Sequence, residues 1–553
     1  MHDPALAGCR APGKAGGWRT PGRPGGARAW WLRGHRARRA AAAALTGLAV
    51  IVLAAACTAS PHAAATGRAT AGAPPASAKA RPVPFPVAEN RKPGTSAWRI
   101  SHERAPDAIE GYADHVSVLP GQPFRLFVST TSPRFRVEAF RMGWYGGKQA
   151  RLVWSSGSVR GRVQTAPRIS AGTHMVTAPW RPSLTVRTAG WPPGAYLLRL
   201  DASSGAQRYV PVTVRSASTA GKVVILDGVT TWQAYNRWGG YSLYDGPDGL
   251  PSDRGYAVSF DRPYDGNGAT LFLAFEQSAI ALAERTGVPL AYETDVDLDE
   301  HPHLLDGARA VISLGHDEYY SSAMRTALMN ARGKGTNIAF LGANAIYRHI
   351  RFASTALGAD RVIICYKDAA IDPMYAVNKS ETTQNWRDPP DPRPESVLTG
   401  AFYECNPVSA PYVVYDPHNW IFAGTHAYKG ESFPGMVGPE YDRVNPAVPF
   451  PKPLEILAHS PLTCDGVASY SDSVYYTVPS GAGVFDSGTM RWVCAMRGPH
   501  CGHGLNDAAE RFADRATQNL LRAFAAGPAG RAHPAHSNLT EVRPAAGSPY
   551  EGT

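Results

Sequence analysis

The sequence predicts a mixed protein, with an N-terminal β-sandwich followed by a doubly wound parallel α/β domain that carries a β-rich insertion. Short apolar or alternating runs between Pro and Gly turns fill residues 96–215, as in a sandwich. From residue 221, aliphatic strands alternate with segments of helix length, a pattern that requires a parallel sheet with crossover helices. Some of these strands end at glycines followed by polar side chains, and ligands bind at such strand ends in α/β sheets.

The first 57 residues have the order of an export signal. A basic region precedes an apolar run over 40–56, and three alanines precede Cys57. Small residues before a cysteine are typical of lipoprotein signals, so we expect a lipid on Cys57 that anchors the exported protein on the outer face of the cell membrane. Ordinary cleavage near 63–65, which would give a secreted protein, is the alternative.

The net charge does not indicate a nucleic-acid partner. The formal charge is +11, but residues 1–40 hold nine Lys and Arg against one Asp and so carry +8 of it. Nucleic-acid binding needs a clustered basic surface. No run of basic residues interleaved with aromatics follows residue 60, so we expect none.

Residues 58–95 are rich in Ala, Pro, Thr and Ser without periodicity. Such a composition buries too little apolar surface to order itself, so the segment is predicted to be a disordered tether. The Pro-, Ala- and Gly-rich tail over 531–553 is predicted to be loosely held.

Five cysteines remain if Cys9 leaves with the signal and Cys57 carries lipid. Outside the cytoplasm one or two disulfides are expected. Cys494 with Cys501 would close a short loop, and Cys365 with Cys405 a longer one. No CxxC or Cys/His spacing supports a structural zinc site.

The predicted secondary structure follows the apolar patterns. In the sandwich the strands are 115–119, 124–128, 136–142 and 195–200. In the α/β domain, residues 221–530, the strands are 222–226, 289–292, 308–314 and 337–341, and the helices are 270–285 and 321–332. A β-rich insertion over about 355–500 is expected to cover the ligand edge of the sheet, before a last strand at 481–485 and a closing helix at 508–526.

The strongest functional signal is the segment that ends the predicted strand 308–314. His316, Asp317 and Glu318 follow Gly315 directly, at the edge where ligands gather. Capping of the next helix would use one acid but would leave His316 and the second acid unexplained. The segment therefore predicts a functional site.

Other strand ends bring hard oxygen donors within reach of Glu318. Tyr235 follows the first strand of the domain, Tyr264 lies further along, and Asn344 follows the strand after that of Glu318. Phenolate and carboxylate oxygens suit a hard trivalent iron better than zinc or copper. Spacing alone does not establish such a site, because tyrosines after strands commonly serve as packing residues.

Four motifs, in this order, resemble the large (β) subunit of N,N-dimethylformamidase. They are Thr231-Trp232-Gln233-Ala234-Tyr235-Asn236, Arg262-Pro263-Tyr264, Gly315-His316-Asp317-Glu318-Tyr319-Tyr320 and Gly342-Ala343-Asn344. The resemblance covers about residues 100–530. It implies a fold like that of class I glutamine amidotransferases and an amidohydrolase with one mononuclear Fe(3+) held by two tyrosinates and a glutamate.

The resemblance implies Tyr235, Tyr264 and Glu318 as iron ligands, with Tyr292 as a competitor of Tyr264. His316 and Asn344 would orient the substrate or the ligands. A further glutamate of the family matches Glu440, or alternatively Glu455. The implied reaction is hydrolysis of a small amide or formamide. Whether a small partner subunit or a homo-oligomer is needed stays open, since the family enzyme works inside the cell and this chain carries an export signal.

Two alternatives belong to other functional classes. A non-catalytic exported surface protein would bind a glycan or small ligand through the sandwich loops, for example the aromatic, glycine-rich loop 141–147. A cysteine-dependent amidotransferase needs Cys at the turn that Gly315 and His316 occupy, and Cys365 lies elsewhere. The acidic and His segment 295–303 is expected to be a solvated loop, and His349 and His459 to be structural.

Overall fold

The molecule is mixed α/β, and its computed structural model describes residues 83–101 and 108–545. The predicted export signal with Cys57 and the tether up to residue 82 lie outside the described residues. So do the last eight residues of the predicted tail. No helix within the described ranges has both the length and the apolar composition needed to cross a bilayer.

Strands dominate before residue 215, and helices and strands alternate after it. The helices in the described ranges are α1 (Phe85–Glu89), α2 (Val229–Tyr235), α3 (Thr270–Phe275), α4 (Gln277–Thr286), α5 (Asp295–Glu300), α6 (Ser322–Gly333), α7 (Ser396–Thr399), α8 (Trp492–Ala495), α9 (Asp507–Ala526) and α10 (Leu539–Val542). The strands there are β1 (Ile109–Ala113), β2 (Ser117–Val118), β3 (Phe124–Thr130), β4 (Arg134–Met142), β5 (Ala150–Ser155), β6 (Val159–Arg160), β7 (Arg168–Ile169), β8 (Val176–Thr177), β9 (Leu184–Val186), β10 (Gly194–Ala202), β11 (Gln207–Val214), β12 (Val223–Asp227), β13 (Ala257–Ser259), β14 (Leu290–Thr294), β15 (Ala310–Gly315), β16 (Tyr319–Ser321), β17 (Asn337–Gly342), β18 (Arg348–Thr355), β19 (Gly358–Ile364), β20 (Phe402–Cys405), β21 (Ala410–Val413), β22 (Ser432–Val437), β23 (Tyr441–Arg443), β24 (Leu454–Cys464), β25 (Val467–Thr477) and β26 (Gly483–Asp486).

The strands before residue 215 form two larger sheets that share one apolar core. One sheet has the order β1-β3-β9, and the other has the order β2-β11-β10-β4-β5 with β6 beside β4. Leu126 of β3 and Leu198 of β10 belong to the same buried cluster, so the two sheets are held together by apolar packing. The predicted strands of this region fall in β2, β3, β4 and β10.

A seven-stranded sheet carries the rest of the molecule, in the order β14-β12-β15-β17-β26-β25-β24. The first five strands are parallel, and β25 and β24 are antiparallel. Every residue of the five parallel strands is buried, which explains their continuous aliphatic runs. The predicted insertion is too long at its C-terminal end, because residues 454–486 belong to this main sheet.

Two predictions about helical segments are wrong in detail. The predicted helix 270–285 breaks into α3 and α4 at Glu276, whose carboxylate accepts hydrogen bonds from Gly228 N at 3.1 Å and Trp232 Nε1 at 2.7 Å. The segment after β14 is the short helix α5 rather than a solvated loop. Asp295 and Asp297 are buried there, and Asp297 completes a capping box with the residue before the helix.

The segment before β1 is folded where a tether was predicted. Residues 83–95 include α1, and the buried carboxylate of Glu89 accepts a hydrogen bond from Arg151 Nε at 2.7 Å. The predicted loose tail is likewise held in part, since the carbonyl oxygen of Ala545 accepts from Arg443 Nη1 at 2.9 Å. Specific polar contacts therefore order segments whose composition predicts disorder.

One of the two predicted disulfides is confirmed. Cys494 pairs with Cys501, whereas Cys405 pairs with Cys464 and not with Cys365. The reason is placement, because the ends of β20 and β24 lie together while Cys365 is buried beyond the end of β19.

Glu293 in β14 should make stability depend on pH. Both of its carboxylate oxygens are buried without a hydrogen-bond partner, and burial together with the charge of Asp297 raises the pKa of Glu293 to about 9. The folded protein keeps this proton after the unfolded chain has lost it, so the wild type loses stability as pH rises from about 4.5 to about 9. Replacing Glu293→Gln should remove that loss.

Urea unfolding of both proteins tests this prediction. We expect the stability of Glu293→Gln relative to wild type to rise by about 1.4 kcal/mol per pH unit within that window. Parallel pH profiles for the two proteins would show that Glu293 ionises freely in the folded state.

Candidate active site

Two glycines let neighbouring parallel strands end together. β15 ends at Gly315, whose φ of 53° is left-handed, and a Cβ there would overlap the backbone of Phe275. β17 pairs with β15 and ends at Gly342, where a Cβ would overlap the carbonyl oxygen of Gly315. A larger residue at Gly315 would push α3 away from β15, and one at Gly342 would force β17 and β15 apart. The polar residues that follow both strands are therefore held side by side.

Asp317 stabilises the turn after β15. Its Oδ2 accepts hydrogen bonds from Ser313 Oγ at 2.8 Å and from the Tyr320 hydroxyl at 2.6 Å. Its backbone carbonyl accepts from Ile346 N at 3.0 Å. Asp317 therefore makes hydrogen bonds within the turn, and its neighbours His316 and Glu318 face the other residues of the site.

Two tyrosines converge on the carboxylate of Glu318. Tyr235 donates its hydroxyl to Glu318 Oε2 at 2.8 Å, and the Tyr244 hydroxyl lies 2.7 Å from Oε1 and 2.8 Å from Oε2. The two hydroxyl oxygens are 2.9 Å apart, and the rings stack with centroids 4.4 Å apart. Glu318 is buried and the tyrosines are half-buried, so the cluster reaches from the protein interior toward its surface.

The loop between the tyrosines is held from two sides. Ser242 Oγ accepts hydrogen bonds from Tyr244 N and Asp245 N, each at 3.0 Å. Arg262 donates to three carbonyl oxygens of the loop at 2.8 to 3.0 Å. Those carbonyls belong to Asn236, Trp238 and Tyr241. Arg262 thus fixes the distance between the end of α2 and Tyr244.

His316 lies between two glutamates. Its Nε2 is 3.4 Å from Glu318 Oε2 and 3.7 Å from Glu440 Oε2. Glu440 accepts hydrogen bonds from Asn344 Nδ2 at 2.8 Å and Asn406 Nδ2 at 3.0 Å. Asn344 follows β17 with a left-handed φ of 59°, which turns it from the strand end toward Glu440. The two amides leave Glu440 a single preferred orientation.

Two basic side chains approach the same cluster from β18 and from the segment after β19. Arg348 Nε lies 3.3 Å from Glu318 Oε1. Lys367 Nζ lies 3.1 Å from the centroid of the Tyr244 ring, a cation–π contact. The backbone pairing of β16 with β18 sets Arg348 opposite Tyr319, directly after Glu318.

The pKa of Glu318 is lowered, whereas the pKa values of the two tyrosines beside it are raised. Burial acts to raise the pKa of Glu318, but His316, Arg348 and Lys367 together lower it to about 2. Burial and the Glu318 charge raise the pKa values of Tyr235 and Tyr244 well above the ordinary range.

For His316 burial and the neighbouring charges each act in the opposite direction, and the neighbouring charges again outweigh burial. Burial acts to lower the pKa of His316, but the contact with Glu318 and the charge of Glu440 raise it above its usual value. Burial and the charge of Glu318 raise the pKa of Glu440. Without an added cation, then, Glu318 is an ionised acceptor surrounded by neutral phenols and a basic imidazole.

The structure brings together five of the six predicted site residues: Tyr235, His316, Glu318, Asn344 and Glu440. Tyr264 is not among them. Its half-buried ring packs edge-on against Trp232, and within the described residues no contact joins Tyr264 to Glu318.

The two competitor residues also lie elsewhere. Tyr292 donates to Glu284 at 2.6 Å, and Glu455 accepts from Asn419 at 3.0 Å.

Sequence reasoning missed Tyr244, Asn406, Arg348 and Lys367. Tyr244 lies nine residues after Tyr235, and the Gly-Gly turn at 239–240 followed by Ser242 signals a tight return of the chain. No local sequence pattern marks Arg348, Lys367 or Asn406, because each lies on a segment well separated along the chain from Glu318.

The three oxygens of Tyr235, Tyr244 and Glu318 fit a hard cation. Oxygen ligands about 2.0–2.2 Å from one ion and at right angles lie about 3 Å apart, and the observed separations are 2.7 to 2.9 Å. Beside them, both ring nitrogens of buried His316 lack a hydrogen-bond partner among the described residues. An all-oxygen donor set with two phenols suits a trivalent ion such as iron.

A sizeable cavity lies away from the Glu318 cluster. It has a volume of about 770 Å³, and its walls include Trp98, Trp144, Leu273, Arg285 and Met496. None of the residues of the Glu318 cluster lines it. Volume therefore does not identify the site, and the convergence of ionisable groups does.

Comparison with known proteins identifies the family. The family model described as N,N-dimethylformamidase beta subunit-like, C-terminal, matches residues 136–506, which is more than half of the chain. No curated protein matches. A solved cycloisomaltooligosaccharide glucanotransferase from Paenibacillus sp., complexed with cycloisomaltoheptaose, is 13% identical with a TM-score of 0.13. That similarity covers 23% of this chain and 17% of the other, and it supports no conclusion about fold or function.

The family match contains every residue of the Glu318 cluster, from Tyr235 to Glu440. It also begins within β4 and so includes part of the N-terminal strand region. The chain belongs to the N,N-dimethylformamidase beta subunit-like family, which is one of dimethylformamidase-like hydrolases.

Proposed function

We propose that the protein is an iron-dependent hydrolase of the C–N bond of a small amide or formamide. Tyr235, Tyr244 and Glu318 would hold one ferric ion. The observation that carries the proposal is the approach of two phenol oxygens and Glu318 Oε2 to within 2.8 to 2.9 Å of one another. Bound phenols would have to lose their protons, which a trivalent cation favours strongly enough to reverse the effect of burial.

The remaining residues of the cluster are placed to move protons. When bound, the ion supplies Lewis acidity toward an amide carbonyl and toward water. Glu440, fixed by Asn344 and Asn406, is oriented to take a proton from the attacking water. His316 is 3.7 Å from Glu440 and is placed to return a proton to the departing amine, so that water and amide give acid and amine. Burial of both residues keeps bulk water from competing for these protons.

Two further features support finer parts of the proposal. Five parallel strands with polar residues at their ends fit a doubly wound domain like that of class I glutamine amidotransferases, and the preceding sheets fit a β-sandwich. Two disulfides fit a protein that works outside the cytoplasm, as the export signal predicts.

Metal content and colour test the proposal directly. Purified full-length protein should contain about one iron per chain and should absorb visible light, because electrons of tyrosinate transfer to ferric iron. Removing the iron with a chelator should abolish both the absorption and the hydrolysis of formamides, and added iron should restore them. Matched samples reloaded with zinc serve as the control and should stay colourless.

A colourless protein that hydrolyses formamides without iron would overturn the metal assignment. An iron-loaded, coloured protein that hydrolyses none of a panel of linear amides would overturn the assigned reaction instead.

A further inference from the structure

We propose that the substrate amide carries a carboxylate, which Arg348 and Lys367 bind beside the Glu318 cluster. This inference rests on the proposed function and specifies its substrate class. A neutral amide such as a dialkylformamide offers nothing to these two side chains, whereas an acyl or formyl derivative of an amino acid does.

Arg348 is positioned in advance for an anion. Its Nε faces Glu318, its Nη1 donates to Asn385 Oδ1, and its guanidinium lies 4.6 Å from the centroid of the Tyr347 ring. Among the described residues no partner accepts a hydrogen bond from Nη2. The side chain is 17% exposed where that of Glu318 is 1% exposed, so Arg348 extends from the buried cluster toward solvent. A preorganised guanidinium with a free N–H is the usual binding group for a carboxylate.

Lys367 supplies a second nitrogen beside the Tyr244 ring. Burial and the charge of Arg348 lower the pKa of Lys367 well below its usual value, so Lys367 acts as a hydrogen-bond donor rather than as a second full charge. Its Nζ lies over the ring of Tyr244 and makes no hydrogen bond or ion pair within the described ranges. The backbone of Lys367 has a left-handed φ of 61°, which for a side chain of this size is retained only where the surroundings stabilise it. The open end of the hairpin of β18 and β19 therefore presents two nitrogen donors, Arg348 Nη2 at the start of β18 and Lys367 Nζ after the end of β19.

The charge balance of the cluster favours an anion once the metal ligands are engaged. Two phenolates and Glu318 carry three negative charges, and a trivalent ion cancels them. Glu318 then no longer neutralises Arg348. Glu440 approaches the same ring nitrogen of His316 as Glu318 does, and among the described residues its ion-pair contact is with His316 and not with Arg348. A positive charge left on the half-buried side chain of Arg348 attracts an anionic ligand more strongly than it would in water.

Two matched probes test this inference: N-formylglycine and its neutral amide, N-formylglycinamide. They carry the same formamide and differ in one carboxylate. For the iron-loaded full chain at low ionic strength we expect kcat/KM to favour the anionic probe by about tenfold or more, the range of one charge-assisted hydrogen bond. The preference should weaken with added salt.

Variants separate the anion site from the metal site. Arg348→Gln should bring the ratio of the two probes close to one while the visible absorption stays, and Lys367→Met should lower the ratio in part. Lys379→Met is the matched control, because this exposed lysine also lies over a tyrosine ring, at 4.7 Å from Tyr375, but makes no contact with the Glu318 cluster within the described residues. It should keep the wild-type ratio.

The possible failures are distinguishable. Equal or reversed preference, with iron bound and the neutral probe hydrolysed, would overturn the anion site and leave the amidase proposal intact. If neither probe is hydrolysed, calorimetric binding of both probes to the protein as isolated decides the question, and equal affinities would overturn the inference. A preference that survives Arg348→Gln would also overturn it.

Discussion

Tyr244→Phe should lower the affinity of the protein for iron by more than about 100-fold, which is the upper range for losing a residue that only supports a ligand. The reason is that Tyr244 is the only one of the two phenols whose hydroxyl reaches both oxygens of Glu318, at 2.7 and 2.8 Å. Any iron that stays bound should absorb visible light more weakly and at a shifted wavelength, because Tyr235 is then the one phenolate left in the ligand set. Phenylalanine keeps the ring that packs on Tyr235 and under Lys367, so the fold should survive.

Tyr264→Phe is the matched control for this experiment. It removes the same hydroxyl from a half-buried tyrosine that packs on Trp232, and it should retain iron, colour and hydrolysis. Iron per chain, the visible spectrum and the melting temperature are measured for both variants. Loss of iron from Tyr264→Phe together with its retention in Tyr244→Phe would restore the ligand set expected from sequence.

The choice of Tyr264 from sequence has a physical explanation. The Arg262-Pro263-Tyr264 motif does contribute to the site, but through Arg262, which holds three carbonyls of the loop that carries Tyr244. A sequence motif marks a segment whose chemistry matters and does not say which side chain reaches the centre. Proline after Arg262 and the packing of Tyr264 on Trp232 then direct that tyrosine elsewhere.

The parallel core of the fold could be predicted because each of its strands is buried on both faces. β12, β15 and β17 are continuous aliphatic runs, and such runs are distinct in sequence. The break between α3 and α4 could not, because it depends on Glu276 reaching Gly228, 48 residues away. Nor could the place of β24 and β25, because these strands pair with their neighbours in sequence and join the parallel sheet only through the pairing of β26 with β17.

Within the site, too, some residues could be predicted from the sequence and others could not. His316, Glu318 and Asn344 follow strands that pair directly, so the strand-end rule is enough to group them. Glu440 and Asn406 come from segments outside the parallel strands, and they reach the site through hydrogen bonds between side chains. Local periodicity carries no information about such contacts, and for Glu440 only resemblance to a family pointed to the residue.

Glu440→Gln should lower kcat for amide hydrolysis by about 10²- to 10⁴-fold, the usual contribution of a general acid or base, while iron content and visible absorption stay unchanged. Glutamine has the same shape and can still accept from Asn344 or Asn406, but it cannot take a proton from water. Single-turnover rates and iron per chain are the measurements. Glu455→Gln is the control, since this buried glutamate contacts Asn419 and not His316, and it should keep wild-type turnover. Loss of iron from Glu440→Gln would make Glu440 a metal ligand. Full activity would assign the proton transfer to His316, whose Nε2 lies 3.7 Å from Glu440 and 3.4 Å from Glu318.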